Sequence, residues 1–155
     1  MTAVAASSGG KESTRSHWEE FWEEKKDVGE VYSNADRILR NLSSVVELRG
    51  KRILEIGAGT GRDSFSLVRR GADVYQLDYS FNSLVILSRL AVEEGVSTTI
   101  VGGDTFHLPF RDHSFDVVFH QGLLEHFRHP YADRLLRENV RVLKPGGLLL
   151  VDVPQ

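Results

Sequence analysis

From Arg52 to Val153 the chain alternates short apolar runs with helix-length amphipathic stretches. The runs Arg52–Ile56, Asp73–Leu77, Thr98–Val101, Phe115–His120 and Leu148–Val153 are read as strands. Their apolar positions are continuous rather than alternating, as expected where both faces of a parallel sheet are covered. Helices are predicted near Asp63–Arg70, Asn82–Glu94 and Tyr131–Leu143. Strand–helix alternation with right-handed crossovers gives an α/β, doubly wound, Rossmann-like parallel sheet of about five strands with flanking helices.

Upstream the period is helical. Ser16 and Glu19 have the spacing of a capping box, and Trp18, Phe21, Trp22 and Lys25 follow on one face. Those rings either pack on the core or face a ligand. A second helix is predicted from about Ser33 to Leu48, with Ile38, Leu39, Leu42, Val45 and Val46 as its apolar stripe and Arg49-Gly50-Lys51 as its stop. The opening MTAVAASSGG lacks the apolar stretch of a signal peptide and is too polar to bury a core, so 1–12 is expected to be a disordered leader. The organisation expected is that leader, a helical segment over 13–50 and an α/β domain over 51–155.

Composition narrows the function classes. A formal net charge of -3 without a long basic run argues against a nucleic-acid partner. The absence of cysteine removes disulfides, thiolate metal sites and a thiol nucleophile, and fits a cytoplasmic setting. The longest apolar run, at Leu148–Val151, is far too short to span a bilayer.

The chemistry concentrates where strands end. Ile53-Leu54-Glu55-Ile56 runs into Gly57-Ala58-Gly59-Thr60-Gly61 and then a helix. Glycines there let the backbone approach a ligand closely. A dinucleotide fingerprint starting at Gly57 would place its third glycine at position 62, which is Arg62; here it comes one residue early, at Gly61. No Gly-Lys-Ser/Thr is present, so the loop is not a P-loop either. Asp78 closes the second strand, where a carboxylate can accept hydrogen bonds from both ribose hydroxyls; the other reading is a cap on the next helix, a place Ser80 fills as easily. Asp104 closes the third strand, where it either accepts from an exocyclic amine such as that of adenine or caps the turn at Thr105 and Phe106.

These segments resemble the class I S-adenosylmethionine-dependent methyltransferases, with a small-molecule flavour. Glu55-Ile56-Gly57-Ala58-Gly59-Thr60-Gly61 is similar to their first motif, and Asp78 and Asp104 to their ribose and adenine acids. Leu108 to Val118, Leu124-Glu125-His126 and Arg141-Val142-Leu143-Lys144-Pro145-Gly146-Gly147 resemble later motifs in order. The resemblance implies S-adenosyl-L-methionine as methyl donor, S-adenosyl-L-homocysteine as product and a small-molecule acceptor. It implies cofactor contacts from Glu55, Gly57, Ala58, Gly59, Gly61, Asp78, Tyr79, Asp104, Thr105 and Gln121, with Tyr32 a further candidate to close over the cofactor. The family sheet usually closes with an antiparallel pair of strands after the fifth. The sequence stops at Gln155, so a sheet without that pair is expected, with self-association or a partner at the exposed fifth-strand edge.

No catalytic base is assigned and no metal is expected. Glu125 and His126 serve a divalent metal or the acceptor in some family members, but Gln121 stands where a second carboxylate would help; a structural histidine is the other reading. His120 is read in the same way. Two further functions remain: a cofactor-binding subunit that is inactive or partner-dependent, and a nicotinamide-dependent oxidoreductase, which the loop spacing disfavours.

Overall fold

In a computed structural model, residues 14–24 and 35–154 are described. The leader over 1–12, Lys25, Tyr32 and Ser33 lie outside the described residues. Five strands form one all-parallel sheet: β1 (Arg52–Ile56), β2 (Asp73–Asp78), β3 (Thr99–Gly102), β4 (Phe115–Gln121) and β5 (Leu143–Asp152). Their spatial order is β3-β2-β1-β4-β5. The direction of winding therefore reverses between β1 and β4, the switch point at which open α/β sheets bind ligands beyond the carboxyl ends of their strands.

The helices are α1 (Arg15–Glu24), α2 (Ala35–Ser43), α3 (Arg62–Arg69), α4 (Phe81–Glu93) and α5 (Tyr131–Val142). Because successive strand residues point to opposite faces, neighbours in sequence join different cores. Ile53, Val74, Val117 and Phe119 pack with Ile38 and Leu42 of α2 and Leu67 of α3. Leu54, Leu77 and Val118 pack instead with Leu108, Phe115 and Val142 of α5. This two-sided burial is why the strands read as continuous apolar runs. α2 belongs to the same core as the sheet, since Ile38 and Leu42 are buried in it, with Leu48 just beyond the helix.

Three local expectations are corrected. α1 starts two residues earlier than the capping box implied, and the cap is Thr14, whose hydroxyl accepts from the His17 N–H at 3.3 Å. Glu19 closes no capping box and instead accepts from the Phe81 and Asn82 N–H groups of α4. α2 stops at Ser43 rather than Leu48: the Ser43 hydroxyl donates to the Leu39 carbonyl and the Ser44 hydroxyl to that of Asn41, bonds that compete with the helical ladder near its end. Val45, placed in the apolar stripe, is consequently exposed. β5 begins at Leu143, not Leu148. Leu143 pairs with Phe115, and pairing resumes with Leu148 opposite Val117. The Pro145-Gly146-Gly147 turn signal is thus a bulge within the strand.

Gly61 has a specific packing duty at the start of α3. Its φ is +70°, and a Cβ there would stand 1.9 Å from Leu87 Cδ1 and 2.5 Å from Gln76 Nε2. Gly95 has a similar φ of +64° and nothing within 4 Å. The pair separates backbone strain from steric overlap. Gly95→Ala should cost ~1–2 kcal/mol, the left-handed backbone penalty alone. Gly61→Ala should cost that plus an overpacking loss of ~1–3 kcal/mol. Urea denaturation of both variants checks this; equal losses would contradict the packing assignment.

Candidate functional site

The glycine loop is fixed to β2 along its length. The N–H groups of Gly57 and Ala58 donate to the Leu77 carbonyl at 2.9 and 3.1 Å. The Gly59 N–H donates to Asp78 Oδ2 at 2.9 Å, and the Ser83 hydroxyl of α4 donates to the Gly59 carbonyl at 2.9 Å. Beneath the loop lies a buried polar network. Gln76 Nε2 donates to Glu55 Oε2 at 3.0 Å and to the Gly61 carbonyl at 2.9 Å, while Gln76 Oε1 accepts from the Thr98 hydroxyl at 2.8 Å. Glu55 Oε2 also accepts from the Ser64 hydroxyl of α3 at 2.5 Å.

Beyond the strand ends is a cavity of ≈ 820 Å³, within the ~300–1,000 Å³ typical of small-molecule sites. Nine of the ten residues expected to contact the cofactor line it: Glu55, Gly57, Ala58, Gly59, Asp78, Tyr79, Asp104, Thr105 and Gln121. Gly61 is the exception. It faces Leu87 and Gln76 behind the loop, so its part is to let α3 and β2 approach.

The geometry also bears on the alternatives left open by the sequence. Ser80 caps α4, its hydroxyl accepting from the Ser83 N–H at 3.2 Å. Asp78 is buried at the cavity wall, with Oδ1 accepting from the Ser80 N–H at 2.9 Å. Asp104 accepts from the Phe106 N–H at 2.8 Å and also lines the cavity, so it holds the turn and faces the site at once. The aromatic face of α1 likewise does both: Trp22 is buried, and Trp18, Phe21 and Trp22 line the cavity. His120 is fully buried, with Nε2 3.0 Å from the Asn139 amide nitrogen of α5, and is absent from the cavity wall. His126 meets Trp18 edge-to-face at 4.9 Å. No cluster of three or more potential metal ligands occurs among the described residues.

Besides Asp152 at the end of β5, sequence reasoning missed two charged wall residues. Asp63, in the first turn of α3, pairs with the Gln121 amide across the cavity floor. Arg37 of α2 reaches the wall and forms an ion pair with Asp152 at the end of β5. It is the only Lys or Arg lining the cavity among the described residues. Both depend on tertiary placement. Asp63 reads as an ordinary helix-start acid, and Arg37 sits on the polar side of an amphipathic stripe.

Burial pushes the Glu55 carboxyl up to about 8, against the pull of its Ser64 and Gln76 hydrogen bonds; Asp63 and Asp78 add to the rise. Burial likewise raises Asp78 above the usual carboxylate range. Two buried acids at one end of a cavity favour a ligand that brings positive charge to them.

Comparison with known proteins agrees with this arrangement. The fold is that of the class I methyltransferases. A family profile described as "Methyltransferase domain" matches residues 54–151. The chain belongs to that family. It is 38% identical over 111 residues to a demethylmenaquinone methyltransferase of Thermobifida fusca (strain YX), an alignment covering 71% of this chain and 46% of the relative. It is 30% identical over 137 residues to a ubiquinone biosynthesis O-methyltransferase of Vibrio cholerae, covering 88% and 54% respectively. The chain thus spans about half the length of these curated relatives. Among solved structures, magnesium protoporphyrin IX methyltransferase from Synechocystis PCC 6803 with bound SAM superposes with a TM-score of 0.70 at 20% identity, covering 83% of this chain and 69% of that one. At that identity the likeness is one of fold.

Glu55 and His120 give stability opposite pH dependences. The folded Glu55 keeps its proton to a higher pH than the unfolded group, so its contribution is complete below about pH 4.5 and is lost as pH rises through about 8. Burial lowers His120 from 6.5 to about 4, so its contribution is complete above about pH 6.5 and is lost as pH falls toward 4. Between about pH 4.5 and 6.5 the two slopes oppose each other. From about pH 6.5 to 8 the parent chain should lose up to ~1.4 kcal/mol per pH unit more than Glu55→Gln does. Denaturant titrations across that range check it; identical slopes in the two chains would contradict it.

Proposed function

We propose that the chain binds S-adenosyl-L-methionine at the carboxyl ends of β1, β2, β3 and β4 and transfers its methyl group to a small-molecule acceptor. The single observation that carries this reading is the buried Asp78 carboxylate. It faces the cavity and holds the glycine loop through the Gly59 N–H. An acid so placed suits a free ribose diol, and its charge opposes a 2′-phosphate.

The donor set fits the rest of such a cofactor. Thr105 Oγ1 and Gln121 Oε1 are buried on the cavity wall with no hydrogen-bond partner among the described residues. Buried polar atoms of this kind call for a partner, and a polar ligand would provide one. Asp104 and Thr105 lie at the end of β3, one strand out from Asp78, where the adenine would lie. Glu55 and Gln121, at the ends of β1 and β4, would hold the cationic amino-acid end. Arg37 is placed for that end's carboxylate. When bound, the cofactor supplies an electrophilic methyl group for in-line displacement. The protein orients it, and Trp18, Phe106 and Phe127 at the wall exclude water from it. A base is required only if the acceptor must lose a proton, and no residue is assigned that task. The small-molecule acceptor is supported by the half-open, largely apolar cavity and by the activities for which the two relatives are named. No helix among the described residues is long and apolar enough to cross a membrane. The cysteine-free sequence supports our inference of a cytoplasmic setting.

Calorimetric titration tests the reading. The parent chain should bind S-adenosylhomocysteine and not NAD. Asp78→Ala should weaken binding by ~1.5–3 kcal/mol for each ribose hydrogen bond lost, before water compensates. Asp78→Asn should lose less, because it keeps one acceptor. Equal affinity in all three chains would remove the ribose role of Asp78.

A further inference from the structure

α1 makes one wall of the cavity, and it carries both tryptophans of the chain. Trp22 lies 2.9 Å from where a Cβ on Gly59 would stand, so its ring closes directly on the glycine loop. Phe21 packs edge-to-face with Trp22 at 5.1 Å and with Trp18 at 5.7 Å. Apolar burial alone does not account for the helix's place, because Trp22 is its only buried residue.

The polar anchor is Glu19. One of its carboxylate oxygens accepts from the Phe81 N–H at 2.5 Å and the other from the Asn82 N–H at 3.2 Å. The Asn82 side-chain amide returns a bond to the Glu19 carbonyl at 3.1 Å. Phe81 and Asn82 open α4, and the first N–H groups of a helix have no partner within it. Ser80 serves the Ser83 N–H; Glu19, from another helix, serves the two before it. A carboxylate is favoured there by the helix dipole as well. α4 begins just past Asp78 and Tyr79, so this contact ties α1 to the part of the sheet that presents those residues to the cavity.

We propose that Glu19 is a positioning residue that clamps α1 onto the N-terminus of α4 and thereby holds an aromatic wall over the glycine loop. What the wall covers rests on the cofactor reading above; the clamp itself does not. A ligand seated on the loop then meets the edge of Trp22, and its affinity depends on how much of the population has α1 docked.

Since both tryptophans lie on α1, intrinsic tryptophan emission reports on that helix alone. The experiment uses the full 155-residue chain. In the ligand-free protein, Glu19→Ala should red-shift the emission and increase acrylamide quenching, with the far-ultraviolet circular dichroism melt still cooperative. The same variant should weaken S-adenosylhomocysteine binding roughly tenfold, the loss of one or two charge-assisted hydrogen bonds after water compensates. Asn82→Ala removes only the returning amide. It should shift both readouts less and in the same direction, and it serves if Glu19→Ala does not fold. Unchanged emission and quenching in both variants would overturn the clamp. Shifted emission with unchanged S-adenosylhomocysteine affinity would overturn Glu19 as a positioning residue for the site. Shifted emission in a chain whose parent does not bind S-adenosylhomocysteine would support the clamp and remove the cofactor reading instead.

Discussion

The Gln76 side-chain amide is the point on which the site depends. Its nitrogen holds both the Glu55 carboxyl at the end of β1 and the Gly61 carbonyl at the far side of the glycine loop, while its oxygen is held by Thr98. A fully buried amide with this many partners is costly to disturb, because each lost partner leaves an unpaired polar group in a low-dielectric interior. The amide can reach Gly61 only because that residue has no side chain. Loop shape, the start of α3 and the Glu55 position are therefore one constraint rather than three.

That constraint sets the electrostatics of the cavity. Glu55 and Asp78 are both buried beside the loop, and burial raises both carboxyls. For Glu55, pushed up to about 8, desolvation favours the neutral form until a cation approaches, whereupon the charged form becomes worthwhile. Binding of a cationic ligand at this end is thus coupled to loss of a proton from the protein. Arg37, the one Lys or Arg on the wall among the described residues, is tied to Asp152 at the end of β5.

Much of this was legible in the sequence because the relevant signals are local. Continuous apolar runs gave five parallel strands, the loop spacing argued against a dinucleotide, and the acids at the strand ends fell on the cavity wall. What the sequence hid depends on contacts between distant segments. Ser16 and Glu19 have the spacing of a capping box, yet Glu19 caps a helix some sixty residues later. Lys144-Pro145-Gly146-Gly147 reads as a turn and is a bulge in β5. The aromatic stripe of α1 has the period of a core-facing helix, and no periodicity tells a core from the wall of a cavity. Gly61 stands in a ligand-binding motif for the sake of helix–strand packing.

The central claim is that one loop, shaped by Gln76 and Glu55, builds a cofactor site shared by four strand ends. Amide chemical-shift mapping during titration with S-adenosylhomocysteine tests it most directly. The account predicts that the largest shifts fall together at Gly57–Gly59, Asp78–Tyr79, Asp104–Phe106 and Gln121, with the indole N–H of Trp22 moving in step. Shifts confined to other surfaces, or at the loop without the ends of β2 and β3, would contradict it.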